Sequence, residues 1–532
     1  MKEFVQKYEA VRKENHPYRM WLRSSQDHIL PDQDHLGFLM KNATTDTAIW
    51  DREGSDTHKA WLGICALWKH PWWARTWIFQ ETTIPERQLE VWWAGMKMMH
   101  AESKVKFLCG RETASWNDIT VTNSICSHLQ ALPALKSATG FLENLHQPVT
   151  NLIRFRAMRL KRQSPSLLDF LNAFRGTQCF DPRDKVYAPL CLAPESAALA
   201  IMPDCQAESV RDVYIDVVKY SLAQSGNELD FLGHTMFTGD GPPESRYNPS
   251  IREFVRFFTK TNQTQLAIGP EGLEFPSWLP DWSKLLTLTP IPKTLYVPTQ
   301  PESTLQATYD LFRGVAHKNE TQIPSFEATK GASCTARIDG IKLHLQAIYV
   351  DKIDDIIPLT GNDMEVVKQA GYEKGVKWGR ESDGGNYGAT GEGFIEALDR
   401  TLALDLKYDW RGRACARGGF RDDELLQRPK EGMSREDLEL RSQAMAAAYT
   451  AERGRCLGRT RQGFMGMVPN RAQVGDIVFA ILGGKVLYTL RLESELECEY
   501  TYIGETYIHG LMDGLMMECV NDFAKVVDIV IV

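Results

Sequence analysis

A chain of 532 residues, 43% hydrophobic and 24% charged, is too long for one ordinary core and too apolar for disorder, so two or three globular domains are expected. Its formal charge of −8 excludes a broad basic face for nucleic acid or anionic lipid. Eleven cysteines stand singly, without CxxC pairs or zinc-ligand spacing, which fits reduced thiols in a cytosolic or nuclear protein, a cytoplasmic location being expected, and offers no metal site. Met1 to Met20 lacks the apolar centre of a secretory leader, and no run reaches the roughly 18 apolar residues of a membrane span.

In chain order, Lys2 to Lys13 reads as a helix within a polar opening segment. Trp61, Ile64, Cys65 and Trp68 fall at i, i+3, i+4 and i+7, the apolar face of a second helix that Pro71 ends. Trp72, Trp73, Trp77, Ile78 and Phe79 then form a dense aromatic block. Leu89 to Trp93 and Val105 to Cys109 are short strand-like runs, and a long helical region occupies about 115 to 230, interrupted near Asp181-Pro182. Residues 235 to 335 read as mixed loops rich in Pro, Gly and Thr.

Ile338 to Val350 reads as a strand pair or one long strand. About 360 to 450 reads as a polar, largely helical insertion with an exposed loop at Gly384 to Gly393. From Leu457 onward short strands recur at Asp476 to Leu482, Val486 to Leu492, Glu499 to Ile503 and Val526 to Val532. Gly483-Gly484 is a tight hairpin turn between the first two, and the pattern is that of a small β-barrel or β-sandwich.

Catalytic signatures are missing: there is no P-loop, HExxH, GxSxG or kinase set, and the histidines are dispersed. No catalytic, cofactor-binding or metal-ligating residue is therefore assigned, and no cofactor is expected. In the aromatic block, Arg75 can stack on a tryptophan or pair with Glu81, or both can belong to a ligand site. In 179–192, Asp181 can cap a helix opened by Pro182, Arg183 can pair with Asp184, and Val186, Tyr187 and Leu190 face a core. In 275–283, Trp278 and Trp282 lock a proline-rich connector against a neighbouring domain, or else line a groove for a peptide.

These blocks, in this order, resemble the fungal heterokaryon-incompatibility (HET) family. The segment 71–81, with Trp72, Trp73, Arg75, Trp77, Gln80 and Glu81, is similar to the family's third block, and Val105 to Gly110 with Trp116 to the glycine-terminated strand after it. Leu89 to Gly95 offers a second copy of that strand, so an inserted segment, or an unspliced stretch of gene, is expected between the two. Asp181, Pro182, Arg183, Asp184 and Tyr187 fit the family's "PRDkvY" block, and Pro276, Trp278, Pro280, Asp281 and Trp282 its "PSWvPDW" block. Gly475-Asp476 fits a "GD" strand, and Gly504, Tyr507 and Gly510 a "vGe.YvhG" strand.

The family's opening strands, of "LSYvWG" and "iDalCInQ" type, find no counterpart, so a HET domain lacking its front is expected. The resemblance implies a multidomain α/β to α+β protein in three parts. Residues 1–130 would be a partial, TIR-like HET domain, and 131–335 a helical middle region and connector. Residues 336–532 would be a C-terminal β-rich module carrying the insertion at about 360–450. It further implies a role in nonself recognition or cell death through binding other proteins, with NAD hydrolysis of TIR type, or a degenerate paralogue keeping only a C-terminal binding module, as alternatives.

Overall fold

The computed structural model describes residues 63, 66–68, 70–83, 86–93, 96–103, 105–109, 112–116, 118–120, 122–123, 149–150, 152–153, 156, 166–190, 192–204, 209–224, 229–235, 275–284, 290–298, 320–359, 373–379, 385–408, 414–418, 454–518 and 525–532. The helix expected at Lys2 to Lys13, together with Trp61, Ile64, Cys65 and Gly110, lies outside them. The chain divides into two compact units. One comprises Met1–Pro203, Tyr247–Ile268 and Pro301–Lys318, the other Asp204–Arg246, Gly269–Gln300 and Asn319–Val532.

In the first unit, Pro71 opens a 3₁₀ turn, Pro71–Ala74, where its missing N–H costs nothing, and the His70 ring accepts the Trp72 amide at 3.2 Å. Helix α1 (Ile78–Thr83) follows, then two antiparallel hairpins, β1 (Glu86–Trp93) with β2 (Met96–Ser103) and β3 (Lys106–Cys109) with β4 (Glu112–Ser115). The segment read from sequence as inserted, between Gly95 and Val105, holds β2, the second strand of the first hairpin. Helices α2 (Leu167–Ala173), α3 (Asp184–Leu190) and α4 (Glu195–Ala200) complete the unit's named elements. A capping box, in which Ser166 and Asp169 satisfy each other's amides, starts α2. Trp68, Trp73, Ile78, Phe79, Ile119, Val149, Leu152, Phe170 and Phe174 form the core. Phe107 lies stacked between Trp73 and Trp116 at 5.7 and 5.6 Å, and the Arg156 guanidinium covers Trp116 at 3.9 Å.

The second unit begins with α5 (Val210–Leu222), capped by Ser209, whose hydroxyl accepts the Asp212 amide. Its buried face carries Val213, Tyr214, Val217 and Val218. The stretch expected as mixed loops contains a hairpin of β5 (Thr294–Pro298) and β6 (Glu320–Pro324). The expected helical insertion is helical at 373–379 and in α6 (Phe394–Leu402), but also holds the hairpin of β9 (Leu406–Tyr408) and β10 (Ala414–Arg417). Turns broke the helical reading there, because Leu404 and Asp405 adopt positive φ directly after α6.

The remaining strands build one eight-stranded sheet: β7 (Arg337–Asp339), β8 (Lys342–Pro358), β11 (Arg455–Thr460), β12 (Met465–Pro469), β13 (Ile477–Ile481), β14 (Leu487–Ser494), β15 (Glu499–Ile508) and β16 (Val526–Ile531). Both sequence options for Ile338 to Val350 are realised, as a short strand and a 17-residue one joined at Gly340. Strand β8 closes the sheet. Its first third pairs with β16, its middle with β13 and its end with β11, while β12, β15 and β14 complete the circuit. Two register shifts leave Val350 and Asp354 as extra residues on β8, and such bulges bend a strand enough to serve several neighbours. A third bulge places Ile503 and Gly504 on β15, where Gly504 has φ 151°. Gly483-Gly484 makes the expected turn between β13 and β14, with Gly483 at φ 89°.

Candidate functional site

Two motif segments that lie about a hundred positions apart fold onto each other in the first unit. The Thr76 amide donates to the Gln178 carbonyl at 2.9 Å, the Gln178 amide returns a bond to Ala74, and the Thr76 and Thr177 hydroxyls meet at 2.7 Å. The Trp77 indole N–H donates to Asp184 at 3.0 Å, and the Gln80 amide donates to the Ala188 carbonyl at 2.6 Å. Burial raises the Asp184 carboxyl above its usual range, against the opposing pull of the indole N–H.

Beneath this junction lies a lysine that sequence reasoning did not single out. Lys185 is buried, and its ammonium donates to the carbonyls of Phe174 at 3.2 Å, Arg175 at 3.1 Å and Thr177, and to the Thr177 hydroxyl at 3.3 Å. These are the carbonyls of the turn that ends α2, where a cation is favoured. Arg183 does not pair with Asp184 as expected. It closes on Asp181 through Nε at 3.1 Å and Nη2 at 2.7 Å, because Asp181 also accepts the Arg183 amide and so faces it. The Arg183 side-chain bonds hold the Asp181 carboxyl below its usual value.

Around the junction several side chains remain in solvent. Arg75 pairs loosely with Glu81 at 3.7 Å, with both side chains about half exposed. Trp77 is 36% exposed and Phe180 is 73% exposed. Trp72 is half-buried, edge-on to buried Trp73 at 4.9 Å, and Tyr187 is buried. Pro182 sits in the turn before α3, its carbonyl accepting the Lys185 amide at 3.2 Å.

In the second unit the 275–283 segment is a lock rather than a groove. Trp278 and Trp282 are fully buried. The Trp278 indole donates to the Ile341 carbonyl at 2.9 Å, and Trp282 meets Tyr214 edge-on at 5.1 Å. Ser277 bonds the carbonyl of Val532 and accepts the Tyr502 amide at 2.8 Å, joining the segment to two barrel strands. Pro276 and Pro280 are buried, and Asp281 accepts from Ser283 and Lys284. Gly475 turns the chain at φ 99°, and buried Asp476 grips Arg491 at 2.9 and 3.0 Å while accepting the Gln473 amide.

Strand β15 carries two buried polar assemblies. Glu505 pairs with Lys293 at 2.5 Å and accepts the Ile291 amide at 2.8 Å, against a Gly233 with no room for a side chain. Farther along, Tyr507 meets the Nδ1 atom of His509 at 2.8 Å, and the Nε2 atom meets Glu392 at 2.5 Å. Gly510, at φ 81°, has Ala389 and Thr390 against it. Glu392 also accepts from Arg400 at 2.6 Å, and Arg400 and Arg417 share buried Asp405. The 384–393 stretch is thus not simply an exposed loop. Among its described residues Tyr387 is 2% exposed, donates to the His509 carbonyl at 3.0 Å and accepts the Met465 amide at 2.9 Å.

Among the described residues, no helix is long and apolar enough to cross a membrane. No curated protein and no solved structure matches the chain. Residues 395–524 match the family model described as the Het-6 beta-barrel domain, spanning α6 to β15. Strands β8 and β16, which close the sheet, flank the matched segment on either side. This match links the chain to the fungal heterokaryon-incompatibility type of protein.

Proposed function

We propose that the chain is a nonself-recognition or cell-death factor of the heterokaryon-incompatibility type, acting by binding other proteins rather than by turning over a substrate. The observation that supports this reading is the junction of 74–80 with 177–188. Its bonds fix the backbone, while Arg75, Trp77, Phe180 and Glu81 stay in solvent around it. Exposed aromatic side chains and an arginine are the residue types enriched in protein-binding faces. The Het-6 barrel match supplies the biological setting.

The test is inducible expression in a filamentous fungus, scoring viability in like and unlike heterokaryons. Wild-type chain should lower viability in an unlike pairing, and Phe180→Ser should relieve that loss while leaving the purified protein folded. Full toxicity of Phe180→Ser and of Arg75→Ala/Glu81→Ala would refute a role for this face. Release of nicotinamide from NAD by purified protein would replace binding with TIR-type hydrolysis.

A further inference from the structure

We propose that residues 385–393 form a strap across one end of the barrel, held closed while His509 is neutral and released when its imidazole takes a proton. The strap is tied at three points. Tyr387 bridges Met465 at the start of β12 and the carbonyl of His509, just past β15. Glu392 reaches the His509 ring, and Gly510 lies under Ala389 and Thr390 so closely that a Cβ there would meet them at 2.9 and 2.8 Å. Inside the strap, the Tyr387 amide donates to the Glu392 carbonyl at 2.8 Å and the Gly391 amide to the Tyr387 carbonyl at 2.7 Å. Of the side chains tying the strap to β12 and β15, the imidazole is the one whose ordinary pKa lies near neutrality.

The proton count fixes the neutral state. Glu392 accepts from Thr390 at 2.7 Å and from Arg400 at 2.6 Å, so it is a carboxylate and the Nε2 of His509 must donate to it. Nδ1 then carries a lone pair and accepts the Tyr507 hydroxyl proton, so every polar atom of the chain Glu392–His509–Tyr507 is satisfied. A second proton on the imidazole turns Nδ1 into a donor and strips the buried Tyr507 hydroxyl of its acceptor.

The surrounding charges leave little room for that added cation. Glu392 and Asp405 face Arg400 and Arg417, two against two. A further carboxylate, Asp513, bonded to Arg417, is more than half exposed and screened by water. Tyr387 and Tyr507, the other titratable groups against the ring, stay neutral, since burial raises both. Burial likewise holds the His509 imidazole below its ordinary value despite the pull of Glu392. A base with a depressed folded pKa favours the closed state above the free-histidine value of about 6.5 and loses that contribution as pH falls below it.

Hydrogen exchange of the full-length protein, corrected for intrinsic rates, tests the strap. Between pH 7.5 and 5.5 the peptide covering 385–393 should lose protection by up to about tenfold per pH unit below the free-histidine value of about 6.5, levelling off at the folded value, while β13 and β14 keep theirs. The variant His509→Gln, which can still bond Glu392 and Tyr507, should give a flat profile. An unchanged strap at pH 5.5, or the same pH-dependent loss in His509→Gln, overturns the proposal. Should that variant not fold, an NMR titration of wild-type His509 decides: an apparent pKa below 6.5 is expected, and one above it refutes the proposal.

Discussion

Replacing Lys185 with methionine removes the ammonium beneath the junction while keeping an apolar stem of similar length in its packed site. The carbonyls of Phe174, Arg175 and Thr177 then lose a charged donor. Hydrogen bonds to a charged group contribute about 1.5–3 kcal/mol each, or roughly 5–9 kcal/mol for three. Against that stands the recovered desolvation of a buried ammonium, several kcal/mol. The difference predicts destabilisation of the first unit by about 2–4 kcal/mol. The turn from Phe174 to Thr177 leads directly into Gln178, so the Thr76–Gln178 bonds should open with it. Urea titration read by hydrogen exchange resolves the two units separately: segments 72–83 and 167–190 should lose protection, and 477–494 should not. A change under about 1 kcal/mol, or equal loss in both units, would refute the view that this lysine supports the junction.

Gly466→Ala should cost at least about 1–3 kcal/mol by denaturant unfolding, because a Cβ there would stand 2.2 Å from the Tyr507 carbonyl of the neighbouring strand. Trp77→Phe should cost about 0.5–1.5 kcal/mol and push the Asp184 carboxyl further up by removing the indole donor, seen in a carboxyl NMR titration; an unmoved Asp184 would count against the bond. Asp181, depressed by Arg183, contributes stability that is complete above about pH 3.9 and is lost as pH falls through its folded value. Arg183→Gln should therefore raise the Asp181 titration towards that ordinary value.

The C-terminal strands were legible because their signals are local. Gly483-Gly484 between two apolar runs states a hairpin, and the positions of β13, β14 and β16 agree with the sequence to within a residue or two. What local patterns hid was polar burial. Strand β8 read as ending at Val350 because Asp351, Asp354 and Asp355 follow, yet Asp351 is buried and accepts the amides of Lys352 and Gln462. The glycine-rich 384–393 stretch read as a loop because its anchors, Met465 and His509, are more than seventy residues away. Arg183 paired backwards to Asp181 rather than forwards to Asp184, since the Asp184 carboxylate was taken by an indole 107 positions upstream. Sequence spacing shows who is adjacent, but long-range partners decide which adjacent pair forms.

The same long-range dependence sets how small a folding piece can be. The segment matching the Het-6 barrel, 395–524, holds five of the six strands of the closed circuit but lacks β8, so β11 and β13 would each present an open edge. Adding residues 330–394 and 525–532 restores β8 and β16 yet leaves other debts in the core. Glu505 would lose Lys293 and the Ile291 amide, and a buried pair broken on one side costs about 3–5 kcal/mol. The Tyr502 hydroxyl would lose the Leu232 carbonyl, and Trp278 would no longer cap the turn at Ile341. A piece spanning 204–532 keeps all of these contacts. It should be soluble and unfold cooperatively, whereas 395–524 and 330–532 should aggregate or lack a cooperative transition by circular dichroism. A cooperatively folded 330–532 would mean that the tryptophan lock and the Glu505 pair are dispensable, and that the barrel stands on its strand circuit alone.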